Sequence, residues 1–391
     1  MKINKCLVCK NKNLVKYLDL GNQPLANNLS KNFKVSKFPL QVVFCNKCYH
    51  NQLNYEVKKE KLFKNYLYLS SQSKTLQNHF NKSAKKYIKY FKLKKNSSII
   101  DVGSNDGIAL KYYEEKNFKN ILGIEPAKNV AYLANKRGIK TINSFLNYKV
   151  SKKFENRADL VTASNVFAHN KDIIKLAKYL INLLSKNGVL VIEVQYLITL
   201  IKKNLFDNIY HEHIHYWSLS SLSLLFKNIN CTIFDAELID THGGSLRCYI
   251  KKKSFKESLK VKKILVNEKK IGIKKNKYFI NFSKQLEKKK NKFKKFLLKN
   301  KNKNIVGYGA AAKTSTLLNY LDISDDLKFV IDDNKLKQNH YIPGTKIQIK
   351  AKNKVGKNID FLIVFAWNYF DEIKKKINYA KQVISIRDFF K

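Results

Sequence analysis

The sequence is poor in arginine: of its 77 basic residues only Arg137, Arg157, Arg247 and Arg387 carry a guanidinium. That scarcity bears on the formal net charge of +48, which taken alone points to nucleic acid or an anionic membrane surface. Proteins that grip phosphate in a fixed geometry favour the bidentate guanidinium. Here the lysines are spread along the whole chain beside many Asn and Ile, as expected of solvated faces. No nucleic-acid partner is expected, although the charge still helps to attract an anionic substrate. An apolar signal core is also missing from the N-terminal MKINKCLVCK, which argues against a secretory leader. The longest apolar stretch, Val189 to Ile201, is interrupted by Glu193 and Gln195 and is too short to span a bilayer. A cytoplasmic address with no membrane partner follows as the expectation. Cysteines there are reduced, so paired ones suggest metal before disulfide. No internal repeat and no Pro/Gly/Ser-rich linker divides the chain.

What is present is length and apolar content. At 391 residues with 44% hydrophobic residues, two or three domains are expected. Residues 1–62 hold four of the six cysteines and little regular periodicity. Across 63–252, short β-branched runs (SSIIDV, NILGIEP, ADLVTASNV, GVLVIEV) alternate with amphipathic stretches, the pattern of an α/β doubly wound parallel sheet. Residues 253–391 start with a lysine-rich segment, with apolar residues at helical spacing in YFINFSKQLEKKKNKFKKFLL, read as a solvated, charged helical connector. A second α/β unit then opens at NKNIVGYG, with KFVID and DFLIVFAW as further buried strands.

Cys6 and Cys9 form one C-x-x-C and Cys45 and Cys48 another, 35 residues apart. Four thiolates so paired suit a tetrahedral, closed, structural Zn²⁺ site. Cys231 and Cys248 lie in apolar runs and read as core.

SSIIDVGSNDG places a strand before Asp101, Gly103, Asn105, Asp106 and Gly107, with a helix to follow. The next strand ends at Glu125-Pro126, where a carboxylate suits the ribose hydroxyls of an adenosine. The spacing is not the G-x-G-x-x-G of dinucleotide sites. Asp101 would repel a pyrophosphate but suit the cationic sulfonium and ammonium of S-adenosylmethionine. Asn143 and Ser144 are positioned for the adenine and Asn165 for the amino-acid part.

The segment LFDNIYHEHIHYWS carries Tyr210, His211, Glu212, His213 and His215. It offers either metal ligands or an acid–base group poised near neutrality, and it is not the H-E-x-x-H of zinc hydrolases. His169 and the turn with His242 and Gly243 supply polar groups to the same crevice. Farther on, Gly307-Tyr308-Gly309-Ala310-Ala311-Ala312 nearly reproduces a dinucleotide fingerprint, with Asp332 ending the next strand; alone it would fit an NAD-dependent oxidoreductase.

Together these motifs resemble the three-domain sugar C-methyltransferases. These act on nucleotide-linked deoxy-keto-sugars, in making the branched sugars of antibiotics and surface polysaccharides. The likeness rests on the C-x-x-C pairs with LDLGNQPLANN between them, NYLYLSSQSKTLQNHF, DVGSNDG, GIEPAKNVA, YHEH, HGGSLR and GYGAAAK. It implies a class I methyltransferase sheet flanked by a zinc-binding domain and a C-terminal Rossmann-like domain that binds no nicotinamide. It implies S-adenosylmethionine and Zn²⁺ as cofactors, a nucleotide-linked sugar substrate, and a base that removes a proton beside a ketone. That base falls on His213, with Tyr210 and Glu212 as neighbours, Glu212 orienting the imidazole. Tyr66, Tyr68 and His169 stand around the sugar, and Lys313 is placed to meet a diphosphate. A monomer is expected, and the carbon methylated is left open.

Overall fold

The computed structural model describes residues 1–58, 62, 69–323, 325–354, 356 and 358–390. Tyr66 and Tyr68 lie outside the described residues.

The N-terminal segment is a sheet despite its irregular sequence. Strand β1 (Leu14–Pro24) pairs antiparallel with β2 (Lys37–Cys45), and β2 with β3 (Asn51–Leu53). Two register shifts in β1, between Lys16 and Leu18 and between Asp19 and Asn22, break the period-two alternation that would otherwise mark the strand.

The middle of the chain alternates as expected. It runs α1 (Lys74–Tyr90), β4 (Ile99–Val102), α2 (Ile108–Glu114), β5 (Ile121–Glu125), α3 (Lys128–Lys136), β6 (Thr141–Asn143), α4 (Tyr148–Lys153) and β7 (Ala158–Ser164). Then come α5 (Ile173–Leu183), β8 (Leu184–Gln195), α6 (Leu197–Lys202), β9 (His215–Tyr216), α7 (Leu219–Lys227), β10 (Cys231–Ile239) and β11 (Ser245–Lys252). The sheet order is β10-β11-β8-β7-β4-β5-β6, parallel from β8 to β6 and antiparallel through the β10–β11 hairpin. The chain reverses its direction of travel across the sheet between β4 and β7, so their carboxyl ends open a crevice. Helix α5 shows why these stretches coil: Ile173, Leu176, Ala177, Leu180 and Leu183 recur at helical spacing, and all are buried. Cys231 and Cys248 are buried on the hairpin.

Strand β9 leaves this domain. It pairs with β3 and so becomes the fourth strand of the N-terminal sheet.

The last part begins with α8 (Leu259–Lys270) and α9 (Asn276–Lys299). Helix α9 is not the fully solvated connector its lysines imply. It buries Phe279, Phe282, Leu286, Phe293 and Leu297, and Phe279 packs 5.0 Å from Tyr17 and 4.9 Å from Phe44 of the N-terminal sheet, ring centroid to centroid. The lysines occupy the other face, which is why composition alone misled. There follow β12 (Ile305–Tyr308), α10 (Ala312–Leu321), β13 (Val330–Ile331), β14 (Ile349–Lys350), β15 (Ile359–Val364), α11 (Phe370–Lys375) and β16 (Ala380–Ser385). They form a second, all-parallel sheet of order β14-β13-β12-β15-β16. Among the described residues no helix is long and apolar enough to cross a membrane.

A buried ionic network pins α1 to the central sheet. Glu193 on β8 accepts from Arg247 Nε at 2.7 Å, from Tyr87 at 3.1 Å and from His79 at 2.8 Å; Arg247 also reaches Glu237 and Ser83. Burial alone would raise the Glu193 carboxyl, but His79 and Arg247 overcome it and hold the group down at about 2. Arg247→Ala strips the guanidinium from that buried charge and leaves only His79 and Tyr87 to hold it. It is expected to cost roughly 3–5 kcal/mol in chemical denaturation; a loss below about 1 kcal/mol would show that α1 is held by its apolar face alone.

Candidate active site between the three domains

The four expected cysteines converge. Cys6 Sγ lies 3.4 Å from Cys48 Sγ and Cys9 Sγ 3.5 Å from Cys45 Sγ, and all four sulfurs fall within 4.8 Å of one another. Among the described residues this is the one such group. Each C-x-x-C turns back on itself: Lys10 N–H donates to Cys6 O and Tyr49 N–H to Cys45 O, with Lys10 and Tyr49 at positive φ. Further donors aim at sulfur, from Cys9 N to Cys6 and from Asn11 Nδ2 to Cys45. Sulfurs this close, served by N–H donors, fit the edges of a tetrahedron around Zn²⁺. A full set of four thiolates makes the site structural.

At the crevice between β4 and β7, Asp101 on β4 has one oxygen accepting from Thr162 Oγ1 at 2.6 Å. Burial pushes its carboxyl up to about 7, so a cation placed beside it would be welcome. Glu125 ends β5 and accepts from the Asn105 and Ala127 amides at 3.0 and 2.8 Å, one bond to each oxygen, which leaves lone pairs for further donors. Gly103, Asn105, Pro126, Ser144 and Asn165 line the same cleft.

Several expected cofactor residues do other work. Asp106 points away and pairs with Arg137 at 2.8 Å. Gly107 caps α2 at φ +80, where a Cβ would meet Ile139 at 3.0 Å. Asn143 binds the carbonyls of Glu125 and Pro126 and shapes the turn rather than the cleft wall.

The histidine segment is buried, not a surface strand. His213 Nδ1 donates to the Asn208 carbonyl at 2.8 Å; because a carbonyl only accepts, the tautomer is fixed and Nε2 keeps its lone pair. That lone pair accepts from the Tyr210 hydroxyl at 2.9 Å. Burial, with the charges of His169 and Lys313 nearby, drives the His213 pKa well below its ordinary value, so the ring is neutral at pH 7. The orienting group is therefore Asn208 and not Glu212. Glu212 instead binds Asn27 of the N-terminal domain at 3.1 Å, and burial lifts its carboxyl to about 7. His169 Nδ1 donates to the Glu212 carbonyl at 2.8 Å, and its ring centroid lies 4.9 Å from that of His213. Asn208 and Asn27 fall inside the segments LFDNIYHEHIHYWS and LDLGNQPLANN, but nothing in those segments marked them for the site: one acts through its backbone, the other from a separate domain.

From the opposite side, His242 sits at φ +53 with Nε2 3.3 Å from Asn165 Nδ2, and burial takes it down to about 4. Gly243 does not line the cleft. A Cβ there would come within 2.8 Å of the Trp367 ring, so the missing side chain lets the C-terminal domain close on this turn. Asp332 accepts from the amides of Ala310 and Asn334 and pairs with Lys337, so its carboxylate ties loops together where a dinucleotide ribose would need it. All three domains enclose one cleft of about 2640 Å³.

A zinc-binding domain model matches residues 6–63, a methyltransferase domain model 50–236, and a C-methyltransferase C-terminal domain model 240–384. The C-methyltransferase NovU of Streptomyces niveus is 29% identical over 384 residues, 95% of this chain and 91% of that protein. Among solved structures, a Pyrococcus horikoshii OT3 protein covers 50% of the chain and is itself wholly covered, at 13% identity and TM-score 0.40. The plantazolicin methyltransferase BpumL, solved with SAH, covers 47% with 88% of its own length, at 18% identity and TM-score 0.37.

Zinc is expected to report through the buried aromatic stack beside it, since the Trp217 ring lies 4.2 Å from that of His50, two residues past Cys48. Chelation should release one zinc per chain, change Trp217 emission and lower the unfolding midpoint, because four-thiolate zinc contributes on the order of 10 kcal/mol to small domains. A metal-free chain of unchanged stability would refute the fit. Three family domains matched in this order, a C-methyltransferase relative aligned over nearly the whole chain and a four-cysteine cluster beside a doubly wound sheet make the chain similar throughout to the zinc-containing, S-adenosylmethionine-dependent C-methyltransferases of three-domain build.

Proposed function

We propose that the chain methylates the carbon next to the ketone of a nucleotide-linked deoxy-keto-sugar. The observation that carries this reading is the neutral, tautomer-fixed His213 inside a cleft too large for one ligand. Pockets for single small molecules run to about 1,000 Å³, and this one is more than twice that.

A ketone acidifies the neighbouring C–H, and His213 Nε2 takes that proton, the substrate displacing the Tyr210 hydroxyl from the lone pair. The Asn208 carbonyl steadies the resulting imidazolium through Nδ1–H. When bound, S-adenosylmethionine supplies an electrophilic methyl group for the carbanion carbon. Asp101 and Asn165 face its charged amino-acid end and Glu125 its ribose, with Gly103, Asn105, Pro126 and Ser144 forming the wall. His169 and His242, both held neutral by burial, offer hydrogen bonds to the sugar. The NYLYL segment with Tyr66 and Tyr68 enters this reading from sequence alone. A sugar bearing a nucleotide also suits a lysine-rich chain, because its diphosphate is anionic.

Incubation with labelled methyl donor and a panel of nucleotide-linked keto-sugars should give a C–CH₃ product by carbon NMR; a methyl ether as sole product would sink the enolate route. His213→Ala should reduce turnover on the order of 10²-fold or more with the fold intact. Because burial favours neutral His213, the acid limb of turnover should lie below pH 6.5 rather than at it.

Affinity for S-adenosylmethionine should rise up to about tenfold between pH 6 and 8 as Asp101 ionises through about 7. Calorimetry across that range, repeated with Asp101→Asn, checks the sign. A flat profile in the unaltered protein excludes Asp101 from the cationic end.

A further inference from the structure

Lys313 occupies the second position of α10, on the cleft wall. Its Nζ is closed off from solvent and has no hydrogen-bond partner. The ammonium lies 4.5 Å from the centroid of Trp367, whose indole N–H donates to Asp207 Oδ2 at 2.6 Å. Trp367 in turn abuts Gly243, beside His242. The nearby guanidinium of Arg387 is committed to the backbone carbonyls of Asn204 and Lys203. The charge of Lys313 reaches the catalytic side, where it lowers both His213 and His242. A buried cation with no ion-pair partner, only the Asp207 charge nearby, is costly, and the positive end of α10 adds to that cost. An anion arriving in the cleft would offset that cost.

The sequence points to a diphosphate as that anion. The location beside His213, His242 and Trp367 points to one formed where the base works. We propose that the Lys313 ammonium is a catalytic group that holds the enolate oxygen of the substrate. This rests on the reading of the chain as a keto-sugar enzyme. In the step assigned, the α C–H bond breaks and its proton goes to His213 Nε2. The C–H electron pair becomes the C=C bond, and the carbonyl π pair moves onto oxygen, where Lys313 meets the new negative charge. No oxidant or further reactant is needed. The C-terminal domain thereby contributes to the chemistry and not only to holding the nucleotide.

Enolisation can be read without methyl transfer, by proton–deuterium exchange at the α carbon of the keto-sugar in D₂O with S-adenosylhomocysteine present. The unaltered protein should exchange that hydrogen. Lys313→Met should slow exchange at saturating substrate by about 10²–10³-fold, the usual loss for one oxyanion donor. Its affinity for the free nucleoside diphosphate should stay within about threefold and its melting point should not fall, since a costly buried charge is removed. Added methylammonium should restore part of the rate to Lys313→Ala, a rescue that a structural role would not give. If exchange at saturation is retained while nucleotide affinity falls, Lys313 is a diphosphate anchor and the proposal is overturned. Equal exchange and equal affinity in both proteins overturn it too. Should the unaltered protein exchange no keto-sugar hydrogen at all, the parent reading fails first and takes this one with it.

Discussion

The site depends on one act of docking: the segment that carries His213 is clamped between two domains. Ile214 N–H donates to Ala168 O on the methyltransferase side, Leu53 N–H of the zinc-bearing sheet donates to Ile214 O, and β9 continues that sheet. Within the same layer His50 Nε2 lies 2.9 Å from His215 Nδ1, and His215 Nε2 donates to the Asn170 carbonyl at 2.9 Å. A peptide held by backbone bonds on both edges has little freedom to turn its side chains. The His213 ring, proposed above as the base, is therefore oriented by position, with only the Asn208 carbonyl needed to set its tautomer.

Burial does the rest of the electrostatic work. It pushes His169, His213 and His242 toward the neutral form and Asp101 and Glu212 toward the protonated form. The two effects have one cause, the loss of water around a charge, yet they serve different ends. Neutral imidazoles can accept protons, while protonated carboxyls wait for a cation. Burial works the same way on Lys313, lowering its ammonium, with Asp207 near enough to offset part of the cost yet forming no ion pair with it.

Each domain brings something the others lack. The zinc-bearing sheet brings rigidity and Asn27, the doubly wound sheet brings the carboxylates at its strand ends, and the last domain brings Trp367 and Lys313. At the end of the repeated α/β unit in the last domain, Asp332 accepts from the Ala310 and Asn334 amides and pairs with Lys337, tying its loops together.

Elements and the chemistry of single motifs were legible along the chain. Hydrophobic period located β4, β5, β7, β8 and β12, and cysteine spacing located the metal site, because both are local patterns that burial and ligation demand. The same reading missed β1, whose bulges spoil the alternation, and misjudged α9, whose lysines mask an aromatic face. Which residues meet was settled by packing in three dimensions. It sent Asp106, Gly107 and Asn143 to supporting bonds, gave the orientation of His213 to a backbone carbonyl, and set Lys313 against Trp367. The reason is physical: a carbonyl has no residue signature, and the direction of a side chain depends on partners that can lie far away along the chain. Local sequence can supply a group, but its neighbours in space set its charge and its aim.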